Sequence, residues 1–192
     1  MTFLSEIKDA IQLLKLNKSK ISSIAGNKSA TVFGVIFLVI PPVLNIIFSS
    51  LSFSSGFGSI FSRYLLWPIF IPALSYAGTS FLMSLVAEKV FHGGKDHVGF
   101  FRIMAYASVA MGVTVVPFLF MLLGIMDAYG LFRLLYIIAG AWVLYVAFHV
   151  LMEHSKLTKE NAIFTVVAGI VISIIIESIL ASLLVGVGYR LY

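Results

Sequence analysis

Five apolar stretches run along this chain, each about as long as a bilayer core is thick and separated from the next by a short polar break. A hydrocarbon core needs about 20 apolar residues as helix. The first stretch runs from about Ala30 to Phe53, the second from about Tyr64 to Ala87 and the third from about Ile103 to Met126. The fourth runs from about Leu134 to Leu151 and the fifth from about Ala162 to Val187. The breaks are Ser54 to Arg63, Glu88 to Arg102, Asp127 to Gly130 and Glu153 to Asn161. Short connections pack successive helices antiparallel. The pattern predicts an all-α, polytopic transmembrane bundle of about five spans over residues 30–192. No second domain, repeat or low-complexity tract interrupts it.

Residues 1–29 are patterned differently. Leu4, Ile7, Ile11 and Leu14 recur at helical spacing, with Glu6, Lys8, Asp9 and Lys15 on other faces. Thr2 is placed to cap this helix, and Glu6 suits its positive end. An amphipathic helix followed by lysines fits the surface of a lipid leaflet. It equally fits a lead-in that packs on the bundle, and the two roles are compatible.

Composition agrees with lipid as the solvent. The chain is 60% hydrophobic and 11% charged, with mean hydropathy +1.07. A 192-residue chain cannot hide that much apolar surface in one water-facing core. All five prolines, Pro41, Pro42, Pro68, Pro72 and Pro117, fall inside apolar stretches. Membrane helices tolerate this because neighbouring groups satisfy the freed carbonyls. No cysteine is present, which excludes disulfides, thiolate nucleophiles and sulfur-ligated metals. The first apolar stretch is too long for a signal peptide core and reads as an uncleaved span.

The net charge of +5 reads as membrane orientation rather than nucleic-acid binding. Lys8, Lys15, Lys18, Lys20, Lys28, Lys89, Lys95, Arg102, Lys156 and Lys159 fall on one side of a five-span topology. Arg63, Arg133 and Arg190 fall on the other. Positive charge stays cytoplasmic, so the N-terminus is expected inside and the C-terminus outside. Tyr64, Trp67, Tyr129, Tyr189 and Tyr192 are the expected outer-interface aromatics.

Glu177 carries the sharpest chemical signal, as the only charge between Val171 and Leu184. Intramembrane carboxylates are expensive and face partners or pathways. Gly169, Ser173, Glu177 and Ala181 share one small-residue face. Asn45 lies at similar depth, and Arg133 is within plausible reach. Glu177 therefore reads as a polar tie to Asn45 or Arg133, as the lining of a proton, ion or solute path, or as a link between subunits.

Other chemistry is weaker. His92, His97, His149 and His154 sit at the lysine-rich edge near Asp96 and Glu153, without a His-Glu-x-x-His pattern. They read as polar interface residues rather than metal ligands. Gly93-Gly94-Lys95 lacks the rest of a phosphate loop and reads as a flexible turn. No Gly-x-Ser-x-Gly motif occurs. The small residues of the second span, from Ala73 to Ser84, read as packing positions, with an oligomer seam or a close-packed gate as the alternative. No cofactor, metal or catalytic residue is expected.

The stretch Arg102-Ile103-Met104-Ala105-Tyr106-Ala107-Ser108, following the Gly-Gly-Lys loop, resembles the Yip/Yif family of Ypt/Rab-interacting membrane proteins. The size, the five spans and the ending Gly188-Tyr189-Arg190-Leu191-Tyr192 are similar to its small prokaryotic members. The resemblance covers Ala30 to the C-terminus and implies a polytopic protein of cell or internal membranes. Eukaryotic members are linked to trafficking and small GTPases. Here the acidic Leu-Tyr-Gly-Pro motif and the long cytosolic region are absent, so GTPase binding is not carried over. Pro117 also lies nine residues after Ser108, further than the family pattern. The resemblance implies a non-enzymatic protein of a prokaryotic cell membrane, acting through helix, lipid or partner contacts, with a homo-oligomer or a membrane protein as partner. The alternative is a small oligomeric ion or solute transporter with Glu177 in its path.

Overall fold

The computed structural model describes residues 2–52, 66–124 and 128–188, with side chains placed except at 49–52, 66–68, 128–129 and 184–188. The Ser54–Arg63 loop, Tyr64, Arg190 and the chain's final residues lie outside that set, as do the side chains of Trp67 and Tyr129. Every regular element described is helical. In chain order they are α1 (Phe3–Leu14), α2 (Lys18–Gly26), α3 (Ala30–Ser52), α4 (Leu66–Lys89) and α5 (His97–Ala107). A 3₁₀ segment (Ser108–Val115), α6 (Val116–Leu122), α7 (Ala128–Glu153) and α8 (Lys159–Gly188) follow.

Among the described residues, five units are long and apolar enough to cross a membrane: Ala30–Phe48, Ile69–Lys89, His97–Leu122, Gly130–Glu153 and Lys159–Leu183. Their outer surfaces are oily. Phe164, Ile174 and Leu183 on α8 are each about 60% exposed, as is Ile137 on α7 at 67%. Such surface is stable against hydrocarbon and unfavourable in water. The chain is an integral membrane protein with the expected all-α polytopic architecture.

The third span differs from the expected single helix. It begins at His97 rather than Ile103, because Asp96 caps it: Gly99 N donates to Asp96 Oδ1 at 2.8 Å. It then tightens into 3₁₀ geometry over Ser108–Val115. Two hydroxyls bond three residues back, Ser108 to the Ala105 carbonyl at 2.6 Å and Thr114 to the Met111 carbonyl at 2.7 Å. Pro117, which has no amide hydrogen, then restarts an α-helix in its first turn.

α5 is the hub. It contacts α1, α2, α3, α4 and α7, and Phe100, Ile103 and Tyr106 are fully buried on it. α3 passes close to it: a Cβ on Gly34 would come 2.9 Å from the Ala105 Cβ, so only glycine permits this approach. α8 is peripheral, packed most extensively on α4 and less so on α7.

The N-terminal segment is two helices, not one, and shares the main core. Leu13, Ile21 and Ile24 join the same buried cluster as Phe37 and Phe100. Asn17 caps α2 by accepting from Ser19 N at 3.1 Å. Thr2 occupies the cap position of α1, but its side chain makes no capping bond. Glu6, expected off the apolar stripe, is only 3% exposed. It sits with Ala10 and Leu13 on the side of α1 that meets the bundle, where Tyr106 supplies a hydrogen bond that offsets its burial.

Gly93-Gly94 is a packed junction rather than a flexible turn. α4 and α7 end alike, with His92 and Lys156 left-handed at φ 56° and 59° and the next amides bonding back to Ala87 and Leu151. The two turns touch: Gly94 N donates to the Ser155 carbonyl at 2.8 Å. A Cβ on Gly93 would come 2.8 Å from that same carbonyl.

Candidate functional site

Glu177 lies on α8 at the edge of its contact with α4. Its Oε1 accepts from Ser75 Oγ at 3.3 Å and from Ser173 Oγ at 3.5 Å. Ser75 is buried, whereas Glu177 itself is exposed on the side of the bundle. The face Gly169–Ser173–Glu177–Ala181 therefore turns outward as it climbs: buried, half-buried, then exposed twice. A four-residue step overshoots one helical turn by about 40°, so a row at that spacing drifts around the helix.

Two contacts fix the antiparallel register of α4 and α8. Ser75 meets Glu177, and a Cβ on Gly169 would strike the Met83 side chain. Counting one turn from either pair places Thr79 opposite Ser173. The Thr79 hydroxyl oxygen is buried and has no hydrogen-bond partner. Most neighbouring hydroxyls bond their own helix four residues back, as Ser80 does to the Tyr76 carbonyl and Ser178 to the Ile174 carbonyl, at 2.8 and 2.7 Å. The hydroxyls of Ser75, Ser173 and Thr79 depart from that habit.

Of the expected partners, Ser173 reaches Glu177 and Asn45 does not. Asn45 Nδ2 donates to Thr114 Oγ1 at 2.9 Å, tying α3 to the 3₁₀ segment. The tightened backbone turns Thr114 towards α3, which an α-helical reading of the third span could not foresee. Arg133 is exposed in α7 and is not without a partner; among the described residues the hydrogen bonds to Glu177 come from the two serines.

A second polar cluster occupies the lysine-rich end, around the segment Arg102–Ser108. Tyr106 Oη donates to Glu6 Oε2 at 2.5 Å and packs edge-on against Phe37. Arg102 donates to the Ala25 carbonyl at 2.6 Å and to Thr31 Oγ1 at 2.7 Å. Tyr76 Oη donates to the Met104 carbonyl at 2.8 Å. One stretch thus binds α1, α2, α3 and α4 together. Beside it, Ser84 Oγ lies 2.8 Å from His97 Nδ1, and Glu88 Oε2 lies 2.9 Å from His97 Nε2. Ser84 is 1% exposed.

The remaining histidines are dispersed. His149 Nδ1 faces the Tyr145 carbonyl at 3.0 Å, and His154 Nε2 lies 3.5 Å from Asp96 Oδ2. Glu153 pairs with Lys18 of α2 at 2.5 Å, not with His149. Among the described residues no three His, Asp or Glu side chains are grouped to hold a metal ion.

The four helical residues of the amphipathic stripe divide unevenly. Leu4 is 70% exposed and Ile11 44%, while Ile7 and Leu14 are half-buried. The side of α1 that docks is Glu6, Ala10 and Leu13, so the apolar arc extends past the bundle and ends beside exposed Lys8 and Lys15. No protein-family model matches this chain, and no curated protein or solved structure does either.

Proposed function

We propose that this chain is a non-enzymatic membrane protein of the Yip type, resident in a prokaryotic cell membrane with its lysine-rich end in the cytoplasm. It acts by contact, with α1 laid along the lipid interface. One observation carries this reading: α1 is docked through buried Glu6, Ala10 and Leu13 yet leaves Leu4 and Ile11 outside the bundle, flanked by lysines. A merely packed helix has no use for that second apolar face. Lysine stems lie along apolar surface and lift their charges to headgroups. The interlocked polar groups around Arg102 and Tyr106 support a rigid platform rather than a reaction centre.

The chain contains no cysteine, so single cysteines report cleanly. With an environment-sensitive dye on Leu4→Cys, Ile11→Cys or Gln12→Cys in vesicles containing anionic lipid, positions 4 and 11 should emit as if in an apolar medium and position 12 as if in water. Water-like emission at all three positions would remove the lipid-contact reading.

A second reading, a small oligomeric transporter with Glu177 in its path, is favoured by the three hydroxyls gathered at the level of that carboxylate.

A further inference from the structure

We propose that Glu177, Ser75, Ser173 and Thr79 form a binding site for a sodium ion between α4 and α8. This deepens the transport reading by naming the ion, but a bound ion does not require a flux.

The distances make the first argument. Hydroxyl-to-carboxylate hydrogen bonds usually lie near 2.7 Å. Here both serine oxygens stand off, at 3.3 and 3.5 Å from the same Oε1. A cation of calcium or sodium size takes oxygen ligands at about 2.4 Å, so oxygens at right angles around it are about 3.4 Å apart. Each serine oxygen thus stands from the Glu177 oxygen at the spacing of two ligands on one ion, longer than a usual hydrogen bond to a carboxylate.

The second argument is the unused oxygen. Thr79 Oγ1 is buried without a partner, and the helix register places it opposite Ser173, one turn from Ser75. Buried hydroxyls are seldom left unsatisfied. An ion held by Glu177 would satisfy it. Other helical hydroxyls on the same two helices are satisfied, Ser80, Thr165, Ser178 and Ser182 by their own backbone and Ser84 by His97, so among the described residues Thr79 is the buried hydroxyl left over.

Charge selects the ion. Glu177 is the only acidic or basic residue between Ala162 and Leu183 on α8, and α4 carries none from Ile69 to Ala87. One carboxylate neutralises one monovalent cation. A divalent ion would leave a net charge in hydrocarbon, which is unfavourable. All four donors are hard oxygens, the ligand type such cations prefer.

The test uses the full chain in lipid nanodiscs. Radioactive sodium should be retained saturably at constant ionic strength held with choline. Thr79→Val and Ser75→Ala, with helix content unchanged, should each weaken retention tenfold or more, and Glu177→Gln should abolish it. Sodium should also protect Glu177 from an apolar carbodiimide, read by mass spectrometry. No saturable retention, or retention indifferent to Thr79→Val and Ser75→Ala, overturns the site. Carbodiimide labelling of Glu177 that is equal in sodium and choline marks a carboxyl that carries only a proton, and also overturns it. Retention without sodium flux in sealed vesicles keeps the site and removes the transport reading.

Discussion

Glu6 shows how a single side chain can invert an amphipathic reading. On α1 it lies a turn and a bit from Ala10 and two turns from Leu13, so it belongs to the docking face by position. Sequence spacing puts it off the Leu4–Ile7–Ile11–Leu14 stripe, and the face that docks is not that stripe alone. What decides the matter is Tyr106, 100 residues away in the chain, whose hydroxyl donates to the carboxylate. Removing that donor should cost about 1–3 kcal/mol, because the acceptor stays buried and unsatisfied. Tyr106→Phe should therefore lower unfolding stability in mild detergent by that amount. Glu6→Gln keeps an acceptor for the tyrosine and should cost less. Equal losses in the two variants would mean that packing, not the hydrogen bond, holds α1. Glu177 was legible for the opposite reason: a lone charge in an apolar stretch announces itself, whereas Ser75 and Thr79 looked like ordinary small residues until the helix register paired them with it.

At the scale of elements, the apolar stretches located all five spans, since length and hydropathy are read from local sequence alone. Their internal geometry was less legible. The 3₁₀ segment depends on hydroxyls that bond three residues back and on a contact with another helix, and neither has a periodic signature. α2 was missed because it is short, with only Ile21, Ile24 and Ala25 buried, and its lysines dominate the pattern. The Asn45–Thr114 pair gives a direct test of what the tightened turn is for. Thr114→Val leaves the Asn45 amide without its partner, and Asn45→Leu leaves the threonine hydroxyl with only the Met111 carbonyl. Each should destabilise by about 1–2 kcal/mol, with the double variant costing less than the sum. Thermal denaturation in detergent measures this cycle. Strict additivity would show that the two residues do not cooperate and that α3 is held to the 3₁₀ segment by packing alone.

Across the whole molecule, the described positive charges separate as the topology requires. α1, α2 and the α4–α5 and α7–α8 turns gather at one end, through the Lys18–Glu153 ion pair, the Arg102 bonds and the Gly94–Ser155 contact. Ten lysines and arginines, from Lys8 to Lys159, lie on these segments. If each of the five apolar helices crosses, successive crossings alternate and the two ends are expected on opposite sides. Which side is which follows from the cost of moving clustered cations across the membrane, so the lysine-rich end should remain in the cytoplasm. Single cysteines at Lys28, Lys95 and Ser59 provide the measurement, because the natural chain offers no background thiol. A membrane-impermeant maleimide should label Lys28→Cys and Lys95→Cys only in inverted vesicles, and Ser59→Cys only in right-side-out ones. Reversed labelling would place α1 against the outer leaflet, where the anionic attraction for Lys8 and Lys15 is weaker. Labelling of positions 28 and 95 from opposite sides would break the alternation, and with it the single polar end that positions α1.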